Sequence, residues 1–131
     1  RAAGAASLAA EGGTSRSAVR RQAPADASCS WRCAAVIQDQ HPRPVYSVDW
    51  LPFGTAQCSA SVASACGDNC VRVLQPRDEE GLQDWTCVAE VEAHLGDANC
   101  VAWCPKPLPD GAALLASAGD DAEIVLWRFS G

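Results

Sequence analysis

The strongest constraint on how this chain folds is an internal repeat with a period of 53 residues. Two stretches of sequence match at this spacing, VDWLP with VAWCP and SVASACGDNCVRVL with LLASAGDDAEIVLW. The landmarks that keep the spacing are His41 and His94, Trp50 and Trp103, Ser64 and Ser117, and Asp68 and Asp121. A repeat of this length indicates that the chain folds as two copies of one supersecondary unit.

Each copy consists of short runs rich in Val, Ala, Cys and Trp, separated by Gly, Pro, Asp and Asn. These runs predict strands at 31–37, 45–50, 61–66, 70–75, 85–91, 98–103, 113–118 and 123–128. No segment keeps the apolar period of a helix over several turns. The sequence therefore predicts an all-β fold with four strands in each complete copy.

Four short strands that then start again are typical of one blade of a β-propeller, and the polar landmarks resemble those of the WD repeat. In that repeat a Trp indole donates to a Ser or Thr hydroxyl, the hydroxyl bonds a His, and the His bonds a buried Asp. The resemblance assigns this network to His41, Ser64 and Asp68 in the first copy and to His94, Ser117, Asp121 and Trp127 in the second. Leu74 replaces the Trp in the first copy, so we expect a weaker network there.

The predicted fold class is thus all-β, a WD-repeat β-propeller fragment with two blades and one preceding strand. We expect a blade at 38–91, a blade at 92–131, and a preceding outer strand at 31–37 within a partial propeller at 29–131. A closed propeller needs about 4–8 blades, so we expect the chain to be the C-terminal part of a longer gene product. It contains no Met and begins with Arg1, which agrees with this expectation.

Residues 1–28 are rich in Ala, Ser and Arg and contain no aromatic side chain. A segment of this composition cannot bury a core, so we expect a disordered lead-in. Its four Arg and two acidic residues also fit an organelle transit peptide, and that alternative stays open.

Charge and hydropathy exclude two classes of partner. The net charge is −6, and the four Arg within 1–28 leave the remainder more acidic still. An acidic domain repels phosphate backbones, so we expect no nucleic-acid partner. No apolar run approaches the roughly 20 residues that a membrane-spanning helix needs, so we expect no membrane partner.

The eight Cys raise the possibility of a metal site or a disulfide framework. Three pairs are spaced four apart, at 29/33, 66/70 and 100/104, whereas metal sites usually pair Cys as C-x-x-C. Most of these Cys lie within apolar strand-like runs, where a free Cys packs as a small hydrophobic residue. We therefore expect no metal, no cofactor and a reducing compartment, with a disulfide-rich secreted domain as the less favoured alternative.

A His, a Ser and an Asp in each copy also resemble the triad of a hydrolase. The set occurs at equivalent positions in both copies, and no Gly-x-Ser-x-Gly elbow is present. Because a catalytic triad has no reason to be duplicated, we expect a structural role, no catalytic residue and no enzyme activity.

The most specific stretches are SWRCAAVIQDQHPRPVYSVDW, VASACGDNCVRVLQ, ANCVAWCP and LLASAGDDAEIVLW. Over about 28–131 they resemble the last two blades of the cytosolic iron–sulfur protein assembly WD-repeat family. The resemblance implies a seven-bladed, non-catalytic scaffold of the cytosolic iron–sulfur targeting complex, aiding cluster insertion into cytosolic and nuclear apoproteins.

The implied partners are the other subunits of that complex and its iron–sulfur client proteins. The implied location is the cytoplasm, with the nucleus left open as a second compartment. A generic WD-repeat adaptor in ubiquitin ligation, transcription or trafficking is the alternative, because propellers carry many functions and a blade pattern alone does not separate them.

Overall fold

The computed structural model describes residues 31–55, 60–78, 80 and 82–131, and in these residues every regular element is a β-strand. The strands are β1 (Val45–Trp50), β2 (Val62–Cys66), β3 (Cys70–Pro76), β4 (Trp85–Glu92), β5 (Ala98–Trp103), β6 (Ala113–Gly119) and β7 (Ile124–Phe129). The all-β prediction is confirmed. No helix in the described part of the chain is long and apolar enough to cross a membrane.

The chain divides into two compact units, Arg1–Cys33 and Ala34–Gly131, and all seven strands belong to the second. Only Trp31–Cys33 of the first unit are described. The predicted disordered lead-in at 1–28 lies outside the described residues.

The strands form two antiparallel sheets that repeat one another. The N-terminal sheet has the order β1-β2-β3-β4, and the C-terminal sheet has the order β5-β6-β7. Val48 pairs with Ser64 as Val101 pairs with Ser117, and both inner strands contain a bulge near their start. The sequence repeat of 53 residues is therefore a repeat of backbone pairing and not only of residue type.

The two sheets share one hydrophobic core. Small and β-branched side chains of the N-terminal sheet, Ala63, Ala65, Val71 and Val73, belong to one buried cluster with Val101, Trp103 and Leu115 of the C-terminal sheet. Residues that lie opposite one another on antiparallel strands share a face of the sheet. The alternation of strand side chains thus places one face of each sheet in this core.

Polar side chains of β1 join the two sheets at the inner edge. The Asp49 carboxylate accepts a hydrogen bond from the Trp103 backbone N–H at 2.6 Å, and the Ser47 hydroxyl accepts one from the Val101 N–H at 3.3 Å. These bonds satisfy backbone donors on the edge of β5 that no neighbouring strand pairs. They also fix how β5 lies against β1.

The predicted outer strand at 31–37 is wrong. Arg32 forms a single-residue bridge, and residues 33–37 are not in a strand. The equivalent segment of the next copy, β4, is a strand because β3 gives it a ladder of seven paired positions. A strand forms where a ladder of hydrogen bonds continues over several residues, and the pairing at Arg32 is not continued over 33–37.

The shared core makes two equivalent tryptophans differ in their contribution to stability. Trp103 is buried against Phe129, with ring centroids 5.9 Å apart, whereas Trp50 is half exposed beside Trp85. We expect Trp103→Ala to lower the free energy of unfolding by about 3–5 kcal/mol, the usual range for a buried aromatic. Trp50→Ala is the matched control and costs less than half as much. Urea unfolding at low protein concentration measures both, and equal losses would contradict the shared core.

Candidate functional site

In the C-terminal sheet the four polar landmarks lie within hydrogen-bond distance of one another. His94 Nδ1 is 2.9 Å from Asp121 Oδ1, and His94 Nε2 is 2.9 Å from Ser117 Oγ. The Trp127 indole N–H donates to the same Ser117 oxygen at 2.8 Å. A carboxylate can only accept, so Nδ1 carries the proton toward Asp121 and Nε2 accepts the Ser117 hydroxyl proton. Every polar atom of the set then has a partner of the right kind.

Asp121 lies in the turn between β6 and β7 and connects that turn to the loop before β5. Its carboxylate accepts the Leu95 backbone N–H at 3.0 Å and the Glu123 backbone N–H at 3.1 Å. Chiefly the Leu95 bond holds the pKa of this carboxyl below its ordinary value, with further help from Glu123 and His94. Asp121 is thus a charged acceptor that fixes both the turn and the His94 ring.

Gly119 at the end of β6 leaves room for the imidazole. A β-carbon at this position would lie 2.4 Å from His94 Cγ, far inside van der Waals contact. Any side chain here would displace either the ring or the backbone. Gly119 was not among the residues predicted from the sequence. The available signal was the difference between the two copies, because Gly119 stands where the first copy has Cys66.

The N-terminal sheet brings together only part of its predicted set. His41 Nε2 lies 2.7 Å from Ser64 Oγ, as in the second copy. The Asp68 carboxylate instead accepts two hydrogen bonds from the Arg72 guanidinium, at 3.1 and 2.6 Å. Arg72 also donates from Nε to Glu90 at 2.6 Å. The assignment of Asp68 as the partner of His41 therefore gives way to an Asp68–Arg72–Glu90 ion network.

Three substitutions between the copies explain this difference. Cys66 has a side chain where the second copy has Gly119, and its thiol lies 3.3 Å from the Arg43 carbonyl. Arg72 stands where the second copy has Val125 and supplies the donor for the turn Asp. Leu74 is buried where Trp127 would donate to the hydroxyl.

The Arg72 network shifts the protonation of its neighbours. Arg72 holds the pKa of Asp68 far below its ordinary value, and Asp68 raises the pKa of Arg72 in turn. Burial lowers the pKa of His41, and the Arg72 charge lowers it further. Arg72 was not among the residues predicted from the sequence. The available signal was a single Arg in the apolar run CVRVL, four residues after Asp68.

The His94, Ser117 and Asp121 set, which resembles a hydrolase triad, has no accessible nucleophile. Ser117 is buried, and its oxygen already contacts both His94 and Trp127. The free thiols include Cys66, Cys70, Cys87, Cys100 and Cys104, and no group of three or more metal-binding side chains forms in the described part of the chain. Burial raises the pKa of the Cys70 and Cys87 thiols, which disfavours the reactive thiolate.

The two copies coincide with a known repeat. A family model described as "WD domain, G-beta repeat" matches residues 31–74 and 85–128. The chain belongs to the WD40-repeat family. The two sheets are accordingly WD40 blades, and the predicted fold class and family resemblance are confirmed at this level.

Curated relatives of this WD40 protein share one description. The chain is 35% identical over 103 residues to the probable cytosolic iron-sulfur protein assembly protein CIAO1 of Homo sapiens, covering 76% of the chain and 28% of the relative. It is 37% identical over 106 residues to Ciao1 of Anopheles gambiae, covering 79% of the chain and 28% of the relative. It is 36% identical over 104 residues to ciao1-B of Salmo salar, with 76% and 28% coverage. The chain thus spans little more than a quarter of these relatives.

The close fit of Gly119 against His94 gives a matched pair of variants. We expect Gly119→Ala to lower the free energy of unfolding by more than about 2 kcal/mol, because a displaced His94 leaves buried partners unsatisfied. Cys66→Ala, at the equivalent position of the first blade, should cost less, since that position already holds a β-carbon. Chemical unfolding measures the loss, and the His94 imidazole NMR signals report the displacement. Equal effects of the two variants would show that the His94 network does not hold the blade.

The lowered pKa of His41 makes stability depend on pH. The unfolded state, with a His pKa near 6.5, binds this proton more readily than the folded state does. The free energy of unfolding should therefore fall as pH drops from about 7 toward the folded pKa, and His41→Gln should flatten this slope. Urea titrations at several pH values measure it, with Gln40→Ala as the control. An unchanged slope in His41→Gln would assign the dependence to another group.

Proposed function

We propose that this WD40 protein acts as a non-catalytic scaffold of the cytosolic iron–sulfur assembly and targeting complex, aiding cluster insertion into cytosolic and nuclear apoproteins. The observation that carries the proposal is the 35–37% identity, over more than 100 residues, to relatives described as probable cytosolic iron-sulfur protein assembly proteins. Its partners are then the other subunits of that complex and the client apoproteins, and its location is the cytoplasm.

The chemistry of the described polar side chains supports a scaffold. His94, Ser117 and Asp121 are engaged in one another and in the turn that they hold. The Arg72 guanidinium on β3 is paired with Asp68 in the preceding turn and with Glu90 on β4. Side chains whose polar atoms are all engaged in hydrogen bonds within the blade stabilise a binding platform, whereas a catalytic group needs access to substrate.

The resemblance to the iron–sulfur assembly family also has a physical basis in the N-terminal blade. Cys66, Arg72 and Leu74 are among the residues at which the motif ACGDNCVRVLQ differs from the second copy. These are the side chains that replace the His–Asp contact with the Asp68–Arg72–Glu90 network. This motif, which carries part of the resemblance, therefore gives the N-terminal blade an internal arrangement that the C-terminal blade does not have.

A chimera tests the proposal. We replace the matched segment of the human relative with residues 31–131 and express the chimera in cells depleted of that relative. We expect it to restore the activity of a cytosolic iron–sulfur enzyme to at least half its normal level. A mitochondrial iron–sulfur enzyme serves as the internal reference, since its activity should not depend on the chimera.

The matched control is a chimera that carries the last two blades of an unrelated WD40 protein and should fail. A chimera with residues 31–131 that accumulates as a folded protein but restores nothing would overturn the proposal and favour a general WD40 adaptor. Restoration by both chimeras would show that the swapped segment carries no specific role, and would equally contradict the proposal.

A further inference from the structure

The hairpin that joins β2 to β3 places two cysteines opposite one another. Ala65 pairs with Val71, so Cys66 and Cys70 are the next residues to face each other across the hairpin. The turn between them contains Asn69 with a φ of 70°, the left-handed conformation that closes a short hairpin loop. Side chains that lie opposite one another on antiparallel strands share a face of the sheet. The two thiols are therefore on the same side of the hairpin.

The spacing of the backbone fits a bond between the two sulfurs. Residues opposite one another on antiparallel strands have Cα atoms about 4.5–5.5 Å apart, and disulfides span Cα separations of about 4.4–6.8 Å. Both thiols are free. Asp68 contacts both residues, through the Cys66 thiol and through the Cys70 backbone N–H at 3.2 Å. Rotation of the two side chains is thus enough to bring the sulfurs together.

The two thiols differ in their access to solvent. Cys66 is completely buried, whereas Cys70 is partly exposed. The equivalent of Cys70 in the C-terminal blade is Glu123, which is exposed although the N-terminal sheet packs against that face of its blade. This position therefore stays accessible even where another sheet covers the face. A dissolved reagent reaches Cys70 first, and Cys66 reacts only through Cys70.

The Cys66 thiol ties the loop before β1 to the hairpin. It donates to the Arg43 carbonyl at 3.3 Å, and the neighbouring Gly67 N–H donates to the Pro44 carbonyl at 3.0 Å. These two bonds hold residues 43–44 against the turn. A sulfur within a disulfide has no proton to donate, so the bond to Arg43 exists only while Cys66 is a thiol.

We propose that Cys66 and Cys70 form a reversible cross-strand disulfide, and that its formation releases the loop before β1 from the hairpin. The oxidant is a small-molecule disulfide. The Cys70 thiolate attacks one of its sulfurs, the S–S bond breaks, and one small thiol leaves. The Cys66 thiolate then attacks the Cys70 sulfur of this mixed disulfide and displaces the second small thiol. The two cysteines lose two electrons and two protons, and the oxidant becomes two thiols.

The charges around Cys70 make the pair slow to oxidise. Burial raises the pKa of the Cys70 thiol, the carboxylates of Asp68, Glu90 and Glu92 raise it further, and Arg72 lowers it. Because the thiolate is the attacking species, exchange is slow at neutral pH. An excess of small-molecule thiol runs both steps backwards. The pair thus responds to a sustained oxidant, as transient disulfides of reducing compartments do.

Peptide mapping of the full 131-residue chain tests the bond. The chain is incubated with oxidised glutathione, the remaining thiols are alkylated, and the denatured protein is cleaved before Asp68. This cut separates Cys66 from Cys70, so a disulfide keeps the two peptides joined. We expect this link to be at least tenfold more abundant than one between Cys100 and Cys104, which have the same spacing but lie about 13 Å apart along one extended segment. Dithiothreitol should remove it.

Hydrogen exchange of the Gly67 amide tests the release of the loop. We expect oxidation to speed this exchange at least threefold in the wild-type chain. Cys70→Ser should abolish both the link and the change in exchange, whereas Cys104→Ser, the matched control, should retain both. Circular dichroism checks that the two variants are folded.

Three results would overturn the proposal. The first is an oxidised chain without the joined peptides, and the second is a Cys70 that carries only a glutathione adduct. The third is a link that forms while the exchange of the Gly67 amide stays unchanged, because the disulfide would then not act on the loop.

Discussion

The packing of the N-terminal sheet, through its face that carries Ala63 and Val71, against the face of the C-terminal sheet that carries Trp103 is the interaction on which the described structure depends. A four-stranded sheet of this composition is apolar on both sides, and a single sheet has no interior of its own. Stacking the two blades buries Trp103 and Val101 against Ala63, Ala65 and their neighbours. Asp49 and Ser47 then bind the exposed edge of β5, so that packing and hydrogen bonding fix the same relative position.

The two blades bind the carboxylate of an equivalent Asp with different partners. Each has an Asp in the turn between its second and third strands, and a buried or half-buried carboxylate needs charged or hydrogen-bonded partners. In the C-terminal blade, Gly119 lets His94 approach, and the ring becomes the partner of Asp121. In the N-terminal blade, Cys66 replaces this glycine and Arg72 becomes the partner of Asp68. The strand register is unchanged, so the backbone of a WD40 blade tolerates either arrangement.

Much of this architecture could be predicted from the sequence, because the repeat relates residue types to positions. The seven strands lie within one or two residues of their predicted bounds, since alternation of side chains and turn residues are local signals. The strand expected at 31–37 has the same local signal as β4, yet only Arg32 forms a bridge there, whereas β4 pairs along its length with β3, and pairing is not a local property. The Arg72 network was missed for a similar reason, because Glu90 lies on another strand and only the fold brings it within reach. The exposure of Trp50 and Leu126 also depends on which faces are covered, not on the strands themselves.

The central claim, that the two blades stack through these unlike faces, is tested most directly by nuclear Overhauser effects between methyl groups and indole rings in dilute solution. We expect cross-peaks from the methyl groups of the Ala63, Ala65, Val71 and Val73 cluster to Trp103, and none from that cluster to Trp50. Cross-peaks to Trp50, or an absence of contacts to Trp103 in a chain that retains its strands, would contradict the stacking of the two blades.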